Sequence, residues 1–336
     1  MPDHEPKRER SAARQPDLTE AHAALEEGGA DALEYRLGVT TVPDRLDKVL
    51  ARLLPQHSRS RLQGWIEKGH VLLNGSPARV RQTVGPGDLI TVNPQQAPEE
   101  LAFSPEPVAF GVLAESPHWV IVDKPVGLVT HPGAGNWSGT LLNGLLHRYP
   151  ELSRVPRAGI VHRLDKDTSG LMVVARSELA QTDLVRQLQA RTVRREYLAL
   201  AHGHREQAGS VELPIGRDPA VPVRMSVERP IAPKPALTHY LPLRLGADSE
   251  GQPVTELTCR LETGRTHQIR VHLASLRNPL LGDVLYGGRL MAGATRQMLH
   301  AHALAFDDPG GGGLVSFEAA PPLDFQTVQE HITWRS

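Results

Sequence analysis

From residue 44, in DRLDKVLARLL, the apolar positions Leu46, Val49, Leu50 and Leu53 recur at spacings of three and four, with Arg45, Lys48 and Arg52 largely between them. That period puts the apolar side chains on one face of a helix and the cations on the other. A second short helix follows. Ser58 supplies its cap, Leu62 and Ile66 repeat one turn apart with Trp65 beside them, and Gly69 ends it. The pattern then changes to VLLNG, a strand running into an Asn-Gly turn, and after Pro-Gly to GDLITV, a closing strand. Residues 44–92 are therefore expected to form one compact unit of two helices and a hairpin. Arg59, Arg61, Lys68, Arg79 and Arg81 would then be available to one solvent face.

Residues 93–107, NPQQAPEELAFSPEP, carry four prolines and little hydrophobicity and read as a linker. Residues 108–336 form a larger domain. HWVIVDKP reads as a strand ending in a turn, and GTLLNGLLHRY and ELAQTDLVRQLQA read as helices, the second with Leu184, Val185 and Leu188 inward. VRREYLALAHG alternates as a strand. TELTCRLETG alternates more cleanly, with Leu257, Cys259 and Leu261 on one face and Thr258, Arg260 and Glu262 on the other. RTHQIRVHLASL returns to helical spacing through Ile269, Leu273 and Leu276. Strands dominate without strict strand–helix alternation. This predicts an α+β fold around a mixed, mainly antiparallel sheet rather than a doubly wound one. Residues 1–43 read as a flexible extension, polar and rich in Ala and Glu, with a transient helix at Thr19–Glu27.

The composition, 40% hydrophobic and 22% charged, is that of a globular protein. A single cysteine, Cys259, excludes an internal disulfide framework, and the N-terminus lacks the apolar core of a signal peptide. No apolar run approaches membrane-spanning length. A cytoplasmic, membrane-free monomer is the expectation. The net charge of −1 conceals an asymmetry: residues 1–43 hold 5 Lys/Arg against 9 Asp/Glu, and residues 44–92 hold 8 against 4. One short basic block in a neutral chain points to a polyanion-binding module.

Three segments could carry chemistry. In GIVHRLDKDTSGLMVVAR, residues 159–176, a strand over Gly159–Leu164 would put His162 and Leu164 on one face and Arg163 and Asp165 on the other. Asp165 would lie at the strand's end beside a cation, and a close cation favours the ionised carboxylate needed by a nucleophile or base. The bland alternative is a structural Asp-Arg pair with a turn-forming Asp167. In LETGRTHQIRVH, residues 261–272, Thr266 can cap a helix that carries Arg270 one turn in, where it can reach Asp165. His267 and His272 are five apart, which does not place two imidazoles on one helix face, and no metal site is expected. In RREYLALAHG, Tyr197 shares a strand face with Val193, Arg195 and Ala199, where a tyrosine ordinarily packs in a core.

The run SRSRLQGWIEKGHVLLNG followed by GDLITV resembles the S4 RNA-binding module. HRLDKDTSGLMVVAR resembles the signature of the RluA family of pseudouridine synthases. The resemblance continues in order through VDKPVGLVTHPGAGNWSGTLLNGLLHRYP, RREYLAL, KPALTHY, LETGRTHQIRVHLASLRNPLLGDVLYGG and MLHAHAL, over roughly residues 118 to 306. With an S4 module in front, it is most similar to the RluD-like branch. The resemblance implies a pseudouridine synthase fold and isomerisation of uridine to pseudouridine without a cofactor, on large-subunit (23S) ribosomal RNA in the helix-69 loop, free or in an assembling particle. It also implies that Asp165 is the catalytic aspartate, that Arg163 enters the RNA stack as the target base leaves, and that Tyr197 stacks on that base. Arg270 matches best the basic residue paired with the aspartate, with Arg265 close by in the same motif, and Leu299 matches an apolar residue lining the base pocket.

Other readings remain at this point. The same chemistry could act on another ribosomal or transfer RNA site. DKDTSG also fits the D-x-D-x-T pattern of haloacid-dehalogenase-type phosphotransferases, which would require a parallel sheet and a distal acidic pair such as Asp307-Asp308. The basic block alone would suit a non-enzymatic RNA-binding protein.

Overall fold

The computed structural model describes residues 21–23, 32–95, 100–133 and 135–335. The chain divides into two units, Met1–Ala97 and Pro98–Ser336.

In the first unit the two expected helices are Leu46–Leu53 and Arg59–Glu67, and Ser58 caps the second by accepting from the Arg61 N–H. Leu46, Val49, Leu50, Leu62, Trp65 and Ile66 are all buried. Asn74 and Gly75 take positive φ between the paired strands Val71–Leu73 and Ser76–Pro77, as a tight hairpin requires. The sheet extends beyond the expected boundary, in the order Ala21–Ala23, Leu33–Arg36, Leu89–Val92, Val71–Leu73, Ser76–Pro77. The extension therefore cannot run to residue 43. Leu33, Tyr35 and Leu37 pack on the core of this unit, and Leu33–Arg36 pairs with Leu89–Val92. LEYR is too short and polar for its alternation to stand out. The helix expected at Thr19–Glu27 lies mostly outside the described residues, but within it Ala21–Ala23 is extended and pairs antiparallel with Leu33–Arg36.

The second unit is built on one large sheet. Its order is Gly209–Val211, Thr238–Ala247, Pro253–Leu261, Arg194–His202, Leu299–Asp307, Ser169–Ala175, Trp119–Lys124, Gly111–Glu115, with Leu314–Glu318 and Thr333–Trp334 attached at its sides. Every pairing is antiparallel except that of Ser169–Ala175 with Leu299–Asp307. The alternation of each strand divides its side chains between two cores. Val120, Val122, Met172 and Val174 join Tyr197, Ala199, Leu257, Cys259 and Leu261 on one face, covered by the helices Leu141–Arg148 and Gln268–Ser275. Ile121, Leu171 and Val173 face Ala180 and Leu184 of the helix Glu178–Ala190 on the other. Ser169–Ala175 is buried along its whole length, which is why it reads as an unbroken apolar run.

Two expectations fail here. The linker ends before residue 102: Ala102 is buried, the Asn143 side chain donates to the carbonyls of Ala102 and Ser104, and Glu106 accepts from the Gly139 N–H. Glu100–Phe103 is a 3-10 turn, and the Glu106 N–H donates to Asn143 O of the helix Leu141–Arg148. The strand expected at Gly159–Leu164 is absent. Pro156–Gly159 is a 3-10 turn with Arg157 and Ala158 at φ near +50°, and only Ile160 bridges to Val174.

Candidate active site

Asp165 sits in a loop whose backbone is held one carbonyl at a time. The Thr130 hydroxyl donates to Leu164 O at 2.8 Å, and the Thr168 N–H donates to Asp165 O at 3.1 Å. Lys166 O accepts from Lys124 Nζ and the Gly127 N–H, both at 3.0 Å, and Asp167 O accepts from Arg296 Nη1 at 3.0 Å. Side-chain donors thus replace the neighbouring strand that the sequence seemed to call for. Lys124 is wholly buried and also donates to the carbonyls of Pro125 and Leu128. Burial lowers its pKa to about 8, and the charges of Asp167 and Asp165 work against that shift, so the ammonium persists at neutral pH. His162 joins from the other side, its Nε2 accepting the Val173 N–H at 3.1 Å.

Gly170 closes the loop. Its φ is +109°, and a Cβ there would lie 2.2 Å from Ala301 O. Only glycine lets Ser169–Ala175 lie beside Leu299–Asp307 at this point.

The helix Gln268–Ser275 supplies the cation. Arg270 Nη1 donates to Asp165 Oδ2 at 3.1 Å, while its Nε and Nη2 form a fork on Asp283 at 2.8 and 2.9 Å. Burial opposes the guanidinium's charge, but the hydrogen bonds and charge of Asp283, together with Asp165, outweigh it and raise the pKa above the ordinary arginine value. Arg270, not Arg265, is therefore the partner of Asp165. Arg265 is exposed, and its Nε donates to Pro235 O. Thr266 does not cap the helix. His267 occupies the cap position at φ +57°, and Gln268 Oε1 accepts from the Thr263 hydroxyl and the Arg265 N–H.

Tyr197 is 5% exposed, and burial pushes its phenol up to about 12, so the ring stays neutral. Although it counts with the core, it also lines a cleft of about 600 Å³ together with Asp165, Arg163, Arg195, Arg265 and Leu261. A smaller cavity at the foot of the cleft adds Leu164, Ile269, Arg270, His267 and Leu299. Asp165, Tyr197, Arg270, Arg163, Arg265 and Leu299, far apart in sequence, are thus brought to one place. Val185 and Leu188 are half-buried and line the cleft, and Leu188 also packs against the core beneath this helix. The arrangement offers a carboxylate beside a fixed guanidinium, under an aromatic and aliphatic slot, at the end of a cleft with arginines in its walls. Sequence reasoning missed Asp283, Lys124 and the His267–Tyr286 pair. The GDVLYGG segment contained Asp283 and Tyr286, but nothing in its spacing tied it to Arg270.

In the other unit, Lys68, Arg79 and Arg81 are exposed. Arg59 is not free: with Arg45 and Gln63 it binds the buried carboxylate of Asp47, at 2.6 Å from Nη2. Arg61 Nη1 lies 3.3 Å from His57 Nδ1.

The phosphotransferase reading fails on this geometry. The sheet is mainly antiparallel, and Asp307 lies eight residues along its strand from Leu299, roughly 26 Å from the cavity at strand rise. Asp308 instead accepts the Trp119 indole N–H.

A family model described as RNA pseudouridylate synthase matches residues 118–275, and an S4 domain model matches residues 44–90. The chain is 48% identical over 310 residues to a protein of Neisseria meningitidis serogroup B named "Ribosomal large subunit pseudouridine synthase D", covering 88% of this chain and 81% of that one. To the protein of the same name from Nitrosomonas europaea it is 49% identical over 305 residues, 87% of each chain. The solved structure of "Human RNA Pseudouridylate Synthase Domain Containing 1" is 27% identical and superposes with a TM-score of 0.54 over 69% of this chain and 91% of that one.

Proposed function

We propose that this chain, which belongs to the RNA pseudouridylate synthase family, isomerises uridines of large-subunit ribosomal RNA to pseudouridine, with the helix-69 loop as its target and Asp165 as the reacting group. The observation that carries this reading is the Arg270–Asp165 pair, 3.1 Å apart at the foot of the cleft, with Tyr197 and Leu299 lining the same cavity. The family's reaction breaks the N1–C1′ bond of uridine, turns the uracil and rejoins it to C1′ through C5. Nothing is oxidised and nothing is lost, so the residues must supply position, charge and exclusion of water. Asp165 acts by attack at C1′, by addition to the pyrimidine ring or by removal of the 2′ proton. Each route needs the carboxylate held in place, and the Arg270 hydrogen bond to Oδ2 does that.

A stacked uracil cannot reach Asp165, and extruding it costs a few kcal/mol, least in a loop. Tyr197 stacking on the extruded base offsets about 1–3 kcal/mol. Arg163, at the mouth of the site, fills the gap in the stack, and Arg265 adds charge on the RNA side. Lys68, Arg79 and Arg81 of the first unit bind backbone phosphates, with Arg61 beside them. Arg59 serves that unit's own core through Asp47. We place the working protein in the cytoplasm as a monomer on ribosomal RNA.

The test is pseudouridine mapping of total RNA from cells lacking the gene, complemented with the wild-type protein or with Asp165→Asn. The expected result is loss of pseudouridine from the helix-69 loop, restored by the wild type only, while Asp165→Asn still binds the RNA. Restoration by Asp165→Asn would refute the role of the aspartate. An unchanged map in the deletion would refute the substrate.

A further inference from the structure

Resting on the reading above, we infer that His267 is a further catalytic residue: its Nε2–H, aimed into the base cavity, donates a hydrogen bond to the uracil ring as negative charge develops there. His267 lines the small cavity with Asp165, Tyr197 and Leu299, and its Nε2 lies 3.9 Å from Asp165 Oδ1. Arg270 occupies the other carboxylate oxygen, so the imidazole faces the side of Asp165 that the base must enter.

Hydrogen bonding fixes the tautomer. Tyr286 Oη has two polar contacts among the described residues. It accepts the Met225 backbone N–H at 2.9 Å and lies 2.7 Å from His267 Nδ1. An amide N–H can only donate, so the phenolic hydrogen is left to point at Nδ1. The imidazole proton then resides on Nε2, on the cavity side. The Tyr286 ring also packs edge-on to His267 and beneath the Arg270 guanidinium. The backbone supplies an independent indication. His267 holds φ +57°, a region non-glycine residues seldom adopt and one that recurs where function demands it. That conformation starts the helix without a hydroxyl cap and turns the imidazole toward Asp165.

All three routes open to Asp165 need such a donor. When N1–C1′ breaks, its electron pair passes to N1 and spreads over the ring oxygens. If the carboxylate instead adds to C6, the charge collects on O4. A fixed N–H aimed at the ring stabilises charge that exists only during reaction. Burial holds the imidazole below the ordinary histidine pKa, so it enters as a neutral donor. It shares the proton without giving it up, and no atom is left unbalanced.

The experiment uses the full chain and a ribosomal RNA hairpin of the mapped sequence, measuring the single-turnover rate constant at saturating RNA, the RNA dissociation constant and the melting temperature. His267→Ala is expected to lower the rate constant about 10²-fold, with RNA affinity within twofold. His267→Gln, whose amide N–H can reach the same point, should recover at least tenfold of that loss. Tyr286→Phe, which keeps the ring and removes the hydroxyl, should slow the reaction at least threefold. It decides the matter if the alanine variant does not fold. A wild-type rate in His267→Ala, or equal losses in His267→Ala and His267→Gln, overturns the inference. Absence of pseudouridine with the wild-type protein would instead defeat the function itself.

Discussion

Asp283 never touches the base cavity, yet the geometry makes it the residue on which the site's electrostatics rest. It is 2% exposed and takes two of the three hydrogen bonds that Arg270 makes, leaving Asp165 the third. Asp283→Asn keeps the volume and removes the charge. Asparagine can satisfy one branch of the fork, but its amide N–H then faces the other branch, donor against donor. Breaking a buried, hydrogen-bonded pair by altering one partner costs about 3–5 kcal/mol. With half the fork retained, the lower end, about 3 kcal/mol, is expected. Asp165→Asn should behave differently, because Asp165 is half-buried and takes only one Arg270 bond: near-normal stability and no activity. Asp283→Asn should fold less stably and also react slowly, because a freed Arg270 no longer fixes the carboxylate, and misplacement by about 1 Å can lower a rate 10²-fold. Urea unfolding followed by tryptophan fluorescence gives the first quantity and single-turnover pseudouridine formation the second. If Asp283→Asn unfolds within about 0.5 kcal/mol of wild type, the range expected of ordinary surface changes, and reacts at the wild-type rate, the fork is not what positions Arg270.

Three further outcomes follow from the same structure. His300 is 1% exposed and burial lowers its pKa to about 4; its Nε2–H donates to Ala319 O and its Nδ1 lies 3.0 Å from the Ser169 hydroxyl. Its stabilising share is complete above pH 6.5 and is lost as pH falls toward 4, because the unfolded chain takes up a proton the folded one refuses. The slope is about 1.4 kcal/mol per pH unit, and denaturation of His300→Gln at several pH values should show a shallower acid slope by that amount. In the first unit, Arg79→Ala and Arg81→Ala should each weaken RNA binding at low salt and reduce the slope of log affinity against log salt by roughly 0.7–0.9 if the residue contacts a phosphate. Arg59→Ala should instead lower stability, since it strips a partner from the buried Asp47.

The parts of this molecule legible in the sequence are those where a local period coincides with burial. The helices Leu46–Leu53 and Glu178–Ala190 each bury one regular face, and the strand Pro253–Leu261 alternates from Leu257 to Leu261, so these patterns survive in the chain. Leu33–Arg36 was not legible because four residues carry too little period, and its pairing with Leu89–Val92 is a long-range event. Residues 102–107 looked like a linker because proline content reports backbone stiffness and not solvent exposure. The Gly159–Leu164 segment looked like a strand because it is apolar and next to a true one. What it lacks is a partner strand along its length: Thr130 meets the Leu164 carbonyl, and Lys124 and Arg296 meet those of Lys166 and Asp167 just beyond, from three distant places. Likewise, the Asp165–Arg270 pair was foreseeable from a resemblance, whereas Asp283 was not, since nothing local links it to position 270.

That pattern of support explains how one short loop can serve two opposite mechanical needs. A carboxylate that meets C1′ or a ring carbon, as proposed for Asp165, requires a backbone that does not move, and each of the four carbonyls from Leu164 to Asp167 is tied. In the proposed reaction, a side chain that slides into the gap left by a departing base requires freedom. Arg163 supplies it: it is exposed, it lines both cavities, and among the described residues it makes no hydrogen bond or ion pair. The restraint falls on the main chain through groups contributed from elsewhere in the fold, and so leaves the arginine unencumbered two residues from a rigid aspartate. A strand at this position would have fixed the backbone too, but by pairing with a neighbour that closes the cleft. Fixing the loop by buried side-chain donors from beneath keeps its outer side open to the cleft.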